Sequence, residues 1–150
     1  MRALIILISF LISGSCSSLR HVTPTTKEAI PYIREFQRDF DHHVTVPVTM
    51  EPLDLRVAAN CSFYMDGYRQ IRLNKTLWPA LTREQKKILV YHELIHCEFR
   101  LGHSEQLHFI TGCPQSVMKP DLFTPHQAIA CFEENKQYYI SEINMRRFLK

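Results

Sequence analysis

Two imidazoles four residues apart with a carboxylate between them, His92, Glu93 and His96 in His-Glu-Leu-Ile-His, are the residues best placed to do chemistry. On a helix, residues four apart share a face, so both rings can meet one ion. Glu93, one step round, can reach a water on that ion without being a ligand. Hydrolysis by a metal-activated water needs rigid nitrogen donors, an open coordination position and a carboxylate to take the water's proton.

The elements around the motif must supply that rigidity. Thr82-Arg83-Glu84-Gln85 has the form of a capping box, with Pro79 ahead of it as a breaker. Ile88, Leu89 and Ile95 give apolar positions at helical spacing, and neither Gly nor Pro interrupts before Gly102. A helix over residues 82–100 therefore carries the motif. A third ligand is expected at His103. On a straight helix it would lie about 16 Å along the axis from His92, too far for one ion at about 2 Å from each ring. The chain must fold back after His96, and Gly102 is expected to supply the backbone angles. Glu105 and His108 are the nearest substitutes.

Downstream, Ser116-Val117-Met118-Lys119-Pro120 places Met118 in a tight turn closed by Pro. With HELIHCEFRLGHSE, this resembles the metzincin clan of zinc peptidases, and within it the matrixins, which pair HExxHxxGxxH with a Met-turn. It is similar more closely still to small bacterial and phage metallopeptidases in which HELxHC is followed by a third His one residue late. The resemblance covers residues 72–120. It implies Zn²⁺ held by His92, His96 and His103, Glu93 as general base, and Met118 as an apolar floor. Two departures stand out: Phe99 occupies the pattern's Gly position, and His103 comes a residue late. The turn is therefore expected around Arg100-Leu101-Gly102.

At the N-terminus, Arg2, a mostly apolar run from Ala3 to Ile12 and then Ser13-Gly14-Ser15 read as a signal peptide over residues 1–15. The run is too short to span a bilayer. Cys16 follows directly and is a lipidation candidate, although Ser13 fits that signal poorly; a soluble exported protein is the alternative. Export to a bacterial periplasm or outer surface is the expectation, with any membrane contact through this anchor. Residues 16–26 read as a connector and 27–150 as one domain. Cys61, Cys97, Cys113 and Cys131 allow two disulfides in three pairings, or buried thiols. Cys97 lies about 100° further round the helix than His96, so core or disulfide suits it better than metal binding. A net charge of +3, with no basic cluster interleaved with aromatics, gives nucleic-acid binding no support.

The remaining segments suggest an α+β domain: a small twisted sheet with an N-terminal helix, the motif helix, the Met-turn and a C-terminal helix. Ile33, Phe36 and Phe40 mark a helix over residues 31–43. Residues 44–50 alternate like a strand, with Pro47 pointing to an edge or bulge. Asp66-Gly67 centres a hairpin over residues 61–73, with Tyr64 and Tyr68 beside the turn. A last helix is expected from Pro125 to about Phe148, with Ile129, Phe132, Tyr139, Ile140 and Ile143 on its apolar face. Glu133-Glu134 could imitate the distant Glu ligand of gluzincins, but a solvated face suits them better.

The resulting expectation is a zinc-dependent endopeptidase acting on a peptide or protein substrate. The alternative is a non-catalytic, zinc-stabilised exported binding lipoprotein of the same fold. A retained Glu93 argues against it, since a structural site needs no base.

Overall fold

In the computed structural model of the chain, residues 24–108 and 110–150 are described. The leader, Cys16, His21 and Phe109 lie outside them. Helix α1 (Ile30–Phe40) leads to strand β1 (Val48–Glu51) and the β2–β3 hairpin (Ala59–Phe63, Arg69–Asn74). A 3-10 turn (Trp78–Ala80) precedes α2 (Arg83–Leu94), which runs without a break into a π-helical segment, Ile95–Phe99. After the Met118 turn come α3 (Pro125–Gln127), a second π segment (Ala128–Glu133) and α4 (Lys136–Phe148). The fold is α+β.

The sheet order is β1-β3-β2, with β1 parallel and β2 antiparallel to β3. Gly67, at φ +82°, makes the hairpin turn the Asp-Gly pair signals. The expected strand at residues 44–50 forms only from Val48. Gln37 Oε1 accepts the Val44 amide, and the Glu98 carboxylate accepts those of Thr45 and Val46, so these donors are withdrawn from a ladder. Thr25 and Thr26, read as connector, instead bond to the start of β1: Val48 N–H donates to Thr25 Oγ1 and Thr26 N–H to the Val48 carbonyl.

Helix α2 is the centre of the molecule. Its capping box forms, with Thr82 and Gln85 each accepting the other's backbone N–H. Beyond the cap, its residues from Lys87 to Leu94 are all buried, as befits a helix packed on several sides. Tyr91 sits edge-on to Phe36 of α1 at 5.2 Å and to Phe132 at 5.9 Å, linking both flanking layers. Burying a ring such as Phe36 contributes about 2–3 kcal/mol. Lys87, buried with them, is held between Glu35 and Glu133 at 2.9 and 2.8 Å. Glu133 is thus committed to an ion pair with α2.

The last helix does not run as one element. Asn135 lies between the π segment and α4, and its amide caps the Cys131 carbonyl. The π segment changes the helical phase, and Ile129, expected in the core, is 53% exposed.

Candidate metal centre

Helical spacing brings the His92 and His96 rings together, with Nε2 atoms 3.0 Å apart. His103 completes a triangle, its Nε2 lying 3.2 Å from His92 and 3.0 Å from His96. The sequence expectation of a fold-back is met in an unforeseen way. The helical ladder widens at Ile95–Phe99, and a π turn accommodates one extra residue. Arg100, at φ 56° in the left-handed region, then ends it. Phe99 at the Gly position and the late His103 are therefore one insertion seen twice. Gly102, expected to make the turn, does not have positive φ; Arg100 makes it.

The rings are oriented from behind. His92 Nδ1 is 3.0 Å from the Val117 carbonyl and His96 Nδ1 is 2.7 Å from that of Leu101. A carbonyl can only accept, so each Nδ1 carries the proton and donates it. Both Nε2 lone pairs then face each other across 3.0 Å, an arrangement that a shared cation relieves. Tetrahedral zinc with nitrogen ligands at about 2.0–2.1 Å would hold them about 3.3 Å apart. The three-imidazole set fits that ion and leaves a fourth position. Burial holds His92 down at about 4, although the Val117 bond opposes this. His96 is lowered too, again chiefly by burial. Neutral rings are the state that ligates.

Glu93, 5% exposed, lines the same cleft of about 460 Å³. Burial pushes its carboxyl up to about 7, against a backbone hydrogen bond from Cys61. Residues Ala59, Asn60 and Cys61 of edge strand β2 form one wall, and Val117, Lys119 and Phe123 another. A Cys61–Cys97 disulfide ties that strand to the residue after His96, and Cys113–Cys131 ties the Met118 turn region to the second π segment. Met118 is fully buried; its N–H donates to Ser116 Oγ and its carbonyl accepts from Ser104 N–H. Among the described residues, the only metal-competent cluster is His92, His96 and His103, without Glu105 or His108.

Three further groups escape a sequence reading. Glu98 accepts amides from Thr45 and Val46 and pairs with His42 at 3.1 Å, fastening the α1–β1 loop to the motif helix. His42, read as a helix-end charge, thus reaches the motif helix and also packs edge-on against Phe99. Arg146 of α4 donates to the Gly102 carbonyl at 2.8 Å, to Ser116 Oγ at 3.3 Å and to Glu142 at 3.2 Å. It lies 44 residues beyond Gly102, where no local spacing signals it.

Residues 56–120, which contain His92–His96, His103 and Met118, match the family model described as "Putative phage metallopeptidase". Over that stretch, less than half the chain, the protein is similar to that family. No curated protein matches. The crystal structure of the metallopeptidase zymogen jannalysin of Methanocaldococcus jannaschii is similar at a TM-score of 0.41 and 16% identity, covering 83% of this chain and 97% of that one. So distant a likeness has no bearing on what the chain does.

Proposed function

We propose that this chain is a zinc-dependent endopeptidase. The observation that carries the reading is the convergence of three imidazole Nε2 atoms within 3.2 Å in a cleft shared with Glu93. His92, His96 and His103 would hold the zinc. When bound, zinc supplies Lewis acidity and a water whose pKa is lowered to about 7. Glu93 takes that water's proton and returns it to the leaving amine. Its buried carboxyl lines the same cleft as the three rings and is placed to do both. Among the described residues β2 is an edge strand, and its outer backbone groups other than the Cys61 N–H, which Glu93 accepts, could pair with an extended peptide whose side chains the cleft walls receive.

Export is part of the same proposal. Two disulfides suit an oxidising compartment, and the leader and Cys16 supply the route. Mass analysis of the mature N-terminus tests this: a lipidated Cys16 supports the anchor, and an unprocessed Met1 overturns export.

The test of the chemistry is Glu93→Gln. The variant should keep zinc at the wild-type ratio and lose cleavage of any peptide the wild type cuts. Undiminished cleavage would remove Glu93 from its role.

A further inference from the structure

Resting on the reading of His92, His96 and His103 as a metal centre, we propose that Arg146 is a positioning residue for the third ligand. His92 is held by helix α2 and His96 by the π segment that continues it, each with a carbonyl behind its ring. His103 is four residues past Phe99, where the helical stretch ends, in a coil, with an exposed side chain. What fixes it is the backbone on either side. On one side Ser104 N–H donates to the Met118 carbonyl at 2.9 Å. On the other, the Gly102 carbonyl accepts from Arg146 Nη2 at 2.8 Å.

Arg146 does more than hold one carbonyl. Its Nη1 reaches Ser116 Oγ at 3.3 Å, the same oxygen that accepts the Met118 amide at 3.1 Å. Glu142 pairs with the guanidinium at 3.2 Å and accepts the Ser116 hydroxyl at 2.9 Å. One planar fork therefore spans the His103 loop and the Met118 turn, and its charge is balanced by Glu142. Two stretches of irregular chain are locked to each other through a side chain 44 residues beyond Gly102 and 30 beyond Ser116. Lys150, two residues past the same helix, donates to the carbonyl of Arg100, the residue that ends the π turn. The C-terminal helix is thus a brace for the coil half of the centre.

The measurement is zinc affinity of the full chain by chelator competition, with zinc itself as probe, in wild type, Arg146→Gln and Arg146→Lys. Partners that orient metal ligands typically contribute 10–100-fold to affinity. Arg146→Gln should lose affinity in that range. Arg146→Lys keeps the charge but gives up the fork, and should lose at least tenfold. Arg147→Gln, on the same helix but stacked on Phe99, should retain wild-type affinity. In a His103→Ala background, Arg146→Gln should cause no further loss. The Co²⁺ absorption bands of Arg146→Gln should also shift from those of wild type, as a displaced ligand requires. Circular dichroism of the metal-free variants reports folding separately. Wild-type affinity in Arg146→Gln, or an equal further loss in the His103→Ala background, would overturn the brace alone. A wild type that binds no zinc would overturn the functional reading and the brace with it.

Discussion

The candidate centre is built from two halves held by different means. His92 on α2 and His96 on the π segment that continues it stand on one capped helical stretch that brings their rings together, and the Val117 and Leu101 carbonyls orient them from behind. His103 and Met118 stand on irregular chain, held by single backbone bonds from Ser104, Arg146 and Ser116. The first half is cooperative: displacing one imidazole means bending a helix packed on α1, the sheet and the second π segment. The second depends on a few discrete tethers, so individual side chains far away in sequence matter there. A site of this kind can keep a fixed pair of ligands while the third is adjusted through its supports.

Ligand removal should produce the largest effect. A four-ligand zinc site is worth about 10–16 kcal/mol, so losing one ligand costs roughly 4 kcal/mol, or about a thousandfold in affinity. His96→Ala and His103→Ala should both approach that by chelator competition, while His108→Ala should not move it. If His108→Ala weakened binding more than His103→Ala, the coil half would have been assigned the wrong ligand.

Next is the disulfide that closes the coil half. Cys113 and Cys131 are 18 residues apart, so replacing both by Ser should cost about 3 kcal/mol of stability in a denaturant titration. Amide exchange should quicken over residues 104–120 and stay slow over 83–94. Equal acceleration in both would erase the distinction between the halves.

Smaller again is the fastening of the helix half. Glu98→Ala leaves the Thr45 and Val46 amides without their carboxylate and should cost about 2 kcal/mol. Burial would raise the Glu98 carboxyl, but bonds from Thr45, His42 and Val46 outweigh it and hold it below its ordinary value. Its contribution is then present above the unfolded pKa of about 4.3 and lost as pH falls through the lower folded value. Wild type should lose more stability than Glu98→Gln between pH 5 and 3 (about the range set by that reference value). Parallel curves would show that the carboxylate contributes nothing. Smallest is Arg100→Gly. It relieves a left-handed non-Gly residue, worth about 1 kcal/mol, against the entropy Gly adds to the unfolded chain. The melting temperature should rise slightly or hold; a clear fall would mean that the Arg100 side chain supports the π turn.

The same two halves divide what a linear reading can reach. The capping box at Thr82–Gln85, the Asp66-Gly67 turn and the pairing of His92 with His96 depend on residues within four positions, and each forms as its spacing implies. The parallel β1–β3 pairing, the diversion of the Thr45 and Val46 amides to Glu98, and the Arg146 bond to Gly102 depend on partners 20 or more positions away. Their energies exist only after the chain has closed on itself. The π turn is intermediate. Phe99 and the late His103 mark an inserted residue, but a straight helix followed by a glycine turn at Gly102 satisfies the same letters. Packing selects the π form, since Cys97 is fully buried and bridged to Cys61 while Phe99 is packed between Phe36 and His42.

The claim on which all of this rests is that the three imidazoles hold one metal ion. Metal analysis of the purified full chain, beside a His92→Ala/His96→Ala double variant of equal fold, tests it most directly. Wild type should carry one zinc per chain and the double variant almost none. Well under one zinc per wild-type chain, or equal zinc in both proteins, would contradict it.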